Sequence, residues 1–124
     1  NLSDMVMLKD NHIGVAGGIR QAVEKTRKKV SFSKKIEVEV ESLDQVREAL
    51  GVGCDIIMLD NMSIDQIRKA VDLIGGQALI EVSGNIGPDN IGDYRGLGID
   101  IISCGALTHS VKALDISLKN MEII

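Results

Sequence analysis

The 124-residue chain is poor in several features that would each point to a role. A membrane-crossing helix needs a run of ~18 apolar residues, and no such run occurs without a charge inside it. The N-terminal apolar stretch does not read as a secretory leader, because Asp4, Lys9 and Asp10 interrupt it. Positive charge is not in excess: 14 Lys and Arg stand against 18 Asp and Glu, a net charge of −4. That balance argues against a nucleic-acid surface as the primary role. Cysteine is limited to Cys54 and Cys104. Cys54 opens one expected strand and Cys104 closes another, which puts them roughly 15–20 Å apart in a parallel sheet. A disulfide needs Cα atoms within about 7 Å, so both read as free thiols in a reducing cytoplasm. Neither has a metal-ligand partner at useful spacing. No linker and no low-complexity segment divides the chain.

The chain does have the composition of an ordinary globular domain, with 44% hydrophobic and 26% charged residues. Five apolar runs each end in a polar residue or glycine. They are MVMLK to Lys9, IEVEVE to Glu39 and Glu41, DIIMLD to Asp60, LIEVSG to Ser83 and Gly84, and DIISCG to Gly105. Between them lie helical patterns. Ile19, Ala22, Val23 and Thr26 recur at helical spacing, and the basic run from Lys25 to Lys29 reads as a solvated helix end. Ser42 and Ser63 are placed to cap two further helices, closed by Gly51–Gly53 and Gly75–Gly76. Residues 10–17, rich in turn formers, read as a loop. Pro88 sits where a first helical residue belongs, and residues 98–103 read as the fifth strand. Strand and helix alternating every twenty residues or so imply parallel βα units with right-handed crossovers. The expected fold class is therefore α/β, a parallel βα repeat forming part of an open or incomplete TIM-like barrel. A closed barrel has eight strands and about 250 residues. The chain also starts without a methionine, so residues 1–124 are expected to be one partial domain, the C-terminal part of a longer protein.

Strand parity then sorts the residues by face. Ile36, Val38 and Val40 share one face of the second strand, and Glu37, Glu39 and Glu41 share the other. Helices cover the outside of a barrel, so the glutamates point inward. The same parity turns Met5, Met7 and Lys9 inward, then Met58 and Asp60, Glu81 and Ser83, and Ser103 and Gly105. Inward carboxylates are costly unless paired or bound to cations. Glu37 and Glu81 are expected to partner basic residues outside the chain. Glu39 and Asp60 lie near strand C-termini, where a barrel gathers its chemistry, and are read as functional. The small turns Ser83-Gly84-Asn85 and Cys104-Gly105-Ala106 let backbone N–H groups approach an oxyanion. In barrels that bind phosphate, the site commonly lies in the last such loops. His12 reads as a hydrogen-bonding loop residue. His109 is left open between ligand contact and a local structural role, and the five methionines read as core filling.

LSDMVMLKDNHI, IEVEVESLDQVREAL, DIIMLDNMS, IEVSGNI and IDIISCGALTHS, in this order, closely resemble the quinolinate phosphoribosyltransferase family. These are the carboxylating nicotinate-nucleotide pyrophosphorylases of NAD biosynthesis. The resemblance covers essentially the whole chain. It implies an N-terminal α/β sandwich domain followed by an open barrel. The implied reaction is transfer of the phosphoribosyl group from phosphoribosyl pyrophosphate to quinolinate, with loss of pyrophosphate and CO2, giving nicotinate mononucleotide. Mg2+ accompanies the donor, and the family works as a homodimer in the cytoplasm.

Residue by residue, Lys9 matches the family lysine that helps hold the anionic substrates. Glu39 and Asp60 match the acidic pair on the ribose and Mg-pyrophosphate side, touching the metal through water or pyrophosphate. Ser83, Gly84 and Asn85, with Gly105, match the loops around the donor phosphate. His109 matches a histidine near that pocket.

Two departures are mild: Cys104 replaces a small aliphatic residue and Asn85 replaces a frequent glycine. The family's quinolinate-binding Arg- and His-rich segments lie upstream of LSD, so this segment alone is expected to be inactive. Two other readings stay open. One is a related barrel homologue acting on another pyridine acid or associated with molybdenum transport. The other is a folding or oligomerising fragment without catalysis.

Overall fold

A computed structural model describes residues 5–31, 33–103 and 110–112. Six strands form one sheet in the order β1-β2-β3-β4-β5-β6. They are β1 (Met5–Leu8), β2 (Lys35–Val40), β3 (Ile56–Asp60), β4 (Leu79–Ser83), β5 (Ile101–Ser103) and β6 (Ser110–Lys112). The first five run parallel, and β6 returns antiparallel to β5. Four α-helices connect them: α1 (Asp10–Ala16) and α2 (Ile19–Lys29) between β1 and β2, α3 (Leu43–Val52) before β3, and α4 (Ile64–Ile74) before β4. No described helix is long and apolar enough to cross a membrane.

The aliphatic face of the sheet lies under the helices. Ile36, Val38 and Val40 of β2, Ile57 and Leu59 of β3, Ile80 and Val82 of β4 and Ile102 of β5 join one core with Ala22, Val23, Val46, Ala49, Ile67, Ala70 and Ile74. Ile56 and Met58, one residue out of phase, are buried but stand outside that core. They mark the opposite face, which also carries Glu37 and Glu81. Helix ends follow local chemistry. Ser42 Oγ accepts the Gln45 N–H at 3.2 Å, and Ser63 Oγ accepts the Gln66 N–H at 3.2 Å while Gln66 returns a bond to the Ser63 N–H. Gly53 and Gly75 close α3 and α4 in the left-handed conformation that glycine adopts without a Cβ clash.

Four expectations need correction. Residues 10–17 are not a loop, because α1 begins at Asp10. The Ile13 N–H bonds the Lys9 carbonyl at 3.0 Å, and Ile13 is buried in the core, so packing overrides the turn-forming composition. Pro88 does not start an α-helix. Asn90 Oδ1 accepts the Gly87 N–H at 2.9 Å, and only a short 3-10 helix follows, Ile91–Tyr94. Gly96 and Gly98, both with positive φ, carry the chain on to β5. The fifth strand is Ile101–Ser103 rather than 98–103. The basic run at the end of α2 is not wholly solvated either: Arg27 pairs with Asp55 at 3.2 Å and donates to the Lys34 carbonyl at 3.2 Å.

Asp55 belongs to a device used twice. Its Oδ2 accepts the Ile36 N–H at 2.8 Å, and its own N–H bonds the Ile36 carbonyl at 2.9 Å. Asp100 does the same to Ile80, at 2.8 and 2.9 Å. Each aspartate extends the ladder below its strand and satisfies an N–H at the N-terminal end of the neighbouring strand. Asp100→Ala is expected to lose about 1–2 kcal/mol, the worth of a charge-assisted hydrogen bond. Asp55→Ala should lose more, because it also frees Arg27. Urea unfolding of the two variants checks this, and an unchanged midpoint for Asp100→Ala would remove the device from the stability of the sheet.

Candidate functional site

Parallel register aligns the inward residues into rows. Met7, Glu37, Ile56 and Leu79 form one row, and Glu39, Met58, Glu81 and Ile101 form the next towards the strand C-termini. Asp60 and Ser83 pair one row higher, where the sheet opens to its rim. Burial differs along and within the rows: Glu37 is 0% and Glu81 4% exposed, whereas Glu39, in the row of Glu81, is half-buried, as are Asp60 and Ser83. The rim therefore carries two partly accessible carboxyl groups, Glu39 and Asp60, on one face of adjacent strands.

Lys9 follows β1 directly and is exposed as the residue that opens α1. Its backbone N–H donates to His12 Nδ1 at 3.3 Å. His12 thus ties down the start of α1, a hydrogen-bonding role on a helix rather than in a loop. Val6 and Leu8 pack on the helix side, so β1 parity sends Met5 and Met7 to the face that holds Glu39, and Lys9 follows at the C-terminal end of that strand. Gly105 and His109, together with Cys104, lie outside the described residues. Cys54 is buried just ahead of β3, and burial first, then Asp55, pushes its thiol up to about 11. A thiol held protonated in this way is inert at neutral pH.

Glu37 is the electrostatic anomaly. Its two carboxyl oxygens are buried without a hydrogen-bond partner in good geometry among the described residues. Burial pushes its pKa up to about 9, helped by hydrogen bonding and repulsion from the Glu81 carboxyl and then by repulsion from Glu39. Glu81 in turn accepts a hydrogen bond from Ser103 Oγ. The basic partners expected for both acids would lie outside the chain; within it, the described neighbours that act on Glu37 are acids, and burial favours a proton over an ion there.

Of the amides at the rim, the sequence singles out Asn85 but not Asn61 or Asn90. The Asn61 N–H donates to the Ser83 carbonyl at 3.1 Å, Asn85 Nδ2 donates to Asn61 Oδ1 at 3.4 Å, and Asn90 Nδ2 donates to the Asn85 carbonyl at 2.7 Å. The available signal was an asparagine directly after the last residue of β3 and another directly after a Ser-Gly turn.

Among the described residues, no group of three or more His, Cys, Asp or Glu side chains could hold a metal unaided. Two half-buried carboxyl groups do suit Mg2+, which commonly takes one or two carboxylates and completes its shell with water and substrate phosphate. A groove of about 300 Å3 lined by Leu8, His12, Val15, Ala16 and Lys29 lies between α1 and α2, apart from the carboxyl rim.

Parallel βα units with acids at the strand C-termini define a segment of an α/β barrel. The family model described as "Quinolinate phosphoribosyl transferase, C-terminal domain" matches residues 1–119. The chain belongs to this family. It is 48% identical over 94% of its length to a Methanocaldococcus jannaschii protein named probable nicotinate-nucleotide pyrophosphorylase (carboxylating), of which it covers 44%. It is 38% identical over 96% of its length to the human nicotinate-nucleotide pyrophosphorylase (carboxylating), of which it covers 41%. The crystal structure of NadC from Streptococcus pyogenes superposes with a TM-score of 0.81 at 53% identity, over 88% of this chain and 38% of that one. The chain thus spans less than half the length of these relatives.

The raised Glu37 pKa has a definite sign. The folded state holds this proton more tightly than the unfolded chain, so the contribution to stability is complete below about 4.5 and is lost as pH rises through about 9. Glu37→Gln keeps the shape, cannot ionise and can donate to Glu81. Its unfolding midpoint in urea should exceed that of the wild type increasingly as pH rises across this window, with the gap closing towards the acid end. Parallel pH profiles for the two proteins would show that Glu37 does not titrate in this way.

Proposed function

We propose that the protein containing this chain transfers the phosphoribosyl group from phosphoribosyl pyrophosphate to quinolinate, releasing pyrophosphate and CO2 and forming nicotinate mononucleotide. The observation that carries the proposal is the half-buried pair Glu39 and Asp60 at the C-terminal ends of adjacent strands, in a chain of this family. The quinolinate ring nitrogen forms the new bond to the anomeric carbon as the bond to pyrophosphate breaks. Positive charge builds on the ribose in that transition state, and carboxylates fixed beside it stabilise it. Glu39 and Asp60 fill this role. They would also hold Mg2+ through water or pyrophosphate, and the ion supplies neutralisation of the leaving pyrophosphate. Lys9 offers a cation to the anionic substrates. Ser83, Gly84 and Asn85 offer a small turn to the donor phosphate, and Gly105 and His109 belong to the same reading. Once the ring nitrogen carries the ribose, the pyridinium accepts the electron pair left by departing CO2, and a proton replaces the carboxyl group on the ring. The nitrogen brings its own lone pair, so the attack needs no general base.

The carboxyl groups of quinolinate call for more cations than Lys9. We assign these to the portion of the relatives' length outside these residues, and we read the complete protein as a cytoplasmic homodimer with residues 1–124 as its partial barrel domain. Release of labelled CO2 from quinolinate, dependent on both Mg2+ and phosphoribosyl pyrophosphate, is expected from a polypeptide of the relatives' full length. Asp60→Ala in that polypeptide should lower kcat at least about 100-fold, the scale of losing one fixed electrostatic group, with its circular dichroism unchanged. Donor-independent release would refute the reaction, and wild-type turnover by Asp60→Ala would remove that residue from it.

A further inference from the structure

We propose that Asn61 is a positioning residue: it clamps the Ser83-Gly84-Asn85 turn to the end of β3 and so sets the spacing between the donor-phosphate turn and the Asp60 carboxyl group. This inference rests on the phosphoribosyl-transfer reading and adds to it a residue that touches neither substrate.

Three observations meet at Asn61. The β3–β4 ladder ends at the Asp60–Ser83 pair. Asn61 adds one more bond through its N–H to the Ser83 carbonyl, at 3.1 Å. It does so while turning away with φ 53, a left-handed conformation that asparagine tolerates better than most side chains. Next, its Oδ1 faces the following turn and accepts Asn85 Nδ2 at 3.4 Å. Last, Gly84 lies directly against it. A Cβ at Gly84 would come within 2.8 Å of Asn61 Cγ and 2.9 Å of Asn61 N. Rotating the Asn61 side chain could relieve the first contact but not the second. The glycine is therefore required by the approach of the β3 end as well as by its own φ of +94.

The turn is held from its far side as well. Asn85, itself left-handed at φ 47, has its carbonyl bonded by Asn90 Nδ2 at 2.7 Å, and Asn90 Oδ1 accepts the Gly87 N–H at 2.9 Å. Neutral amides thus connect the end of β3 to the start of the 3-10 helix. Neutrality matters here. A cation in the same place would compete with Mg2+ for Asp60, and an anion would repel the donor phosphate. The donor carries both its 5′-phosphate and its pyrophosphate, so it spans the two loops that the amides join. Quinolinate does not need that span. A small displacement of one loop should weaken donor binding selectively.

The test uses the full-length enzyme. Asn61→Gly keeps access to the left-handed backbone and removes the amide. It is expected to raise KM for phosphoribosyl pyrophosphate about tenfold, with KM for quinolinate changed less than about twofold and the thermal midpoint close to wild type. Asn90→Ser, which loosens the turn from its other side, should give the same donor-selective rise, and it answers the question if Asn61→Gly fails to fold. An unchanged donor KM, or equal rises for both substrates, in whichever variant folds would overturn the positioning role while wild-type turnover leaves the proposed reaction standing. Absence of wild-type turnover would instead overturn the reaction and this role with it.

Discussion

In a parallel sheet covered by helices on one side, each strand must give every second residue to the helix side. Whatever occupies the intervening positions is then aligned, strand against strand, by the ladder. In β2 the helix side takes Ile36, Val38 and Val40, which leaves Glu37 and Glu39 facing inward. Neighbouring strands obey the same phase, so Glu81 falls in the row of Glu39, and Asp60 and Ser83 in the row above. The site is thus a consequence of packing as much as of its own residues. A one-residue slip of β2 would exchange both faces together, placing carboxyl groups under α3 and isoleucine and valine at the rim.

Two kinds of polar residue hold this arrangement in register from opposite ends. At the N-terminal edge, Asp55 and Asp100 take up backbone donors of neighbouring strands. At the C-terminal edge, Asn61 extends the β3–β4 ladder by one bond before the chain departs. Charged residues serve the end remote from the carboxyl rim, and neutral amides serve the rim itself. That division holds the geometry of the rim without adding charge beside Glu39 and Asp60.

The sequence made the faces legible because period-two alternation in IEVEVE has one sensible burial. The caps at Ser42 and Ser63 were legible because a hydroxyl before a helical pattern has few other uses there. Residues 10–17 were misread for an equally physical reason: Asn11, Gly14 and Gly17 suggest turns, and only the burial of Ile13 against the core tips the balance to α1. The 3-10 helix near Tyr94 depends on the Asn90 side chain reaching back to Gly87, a local bond that no periodicity reveals. The antiparallel return of β6 was not anticipated either, since a three-residue strand carries too short a pattern. The amide clamp escaped because it joins residues about two dozen positions apart, and nothing in Asn61 or Asn85 alone announces the other. The family resemblance supplied residue matches for Lys9, Glu39, Asp60, Ser83 and Gly84. Parity and register explain why Glu39, Asp60 and Ser83 of these can meet.

Burial separates residues of one type on one face. Glu37 and Glu39 sit two positions apart on β2, a rise of about 6.6 Å. Glu37 has no access to water, and burial favours its proton. Glu39 is half-buried one row higher, where hydration offsets part of the cost of charge. A cation brought by a ligand gains most from a carboxyl group that it can approach without first being stripped of water. Half-buried Glu39 meets that condition, and buried Glu37 does not. The alternation that places both acids on one face therefore does not make them equivalent: burial makes Glu37 a neutral packing element at neutral pH and leaves Glu39 accessible.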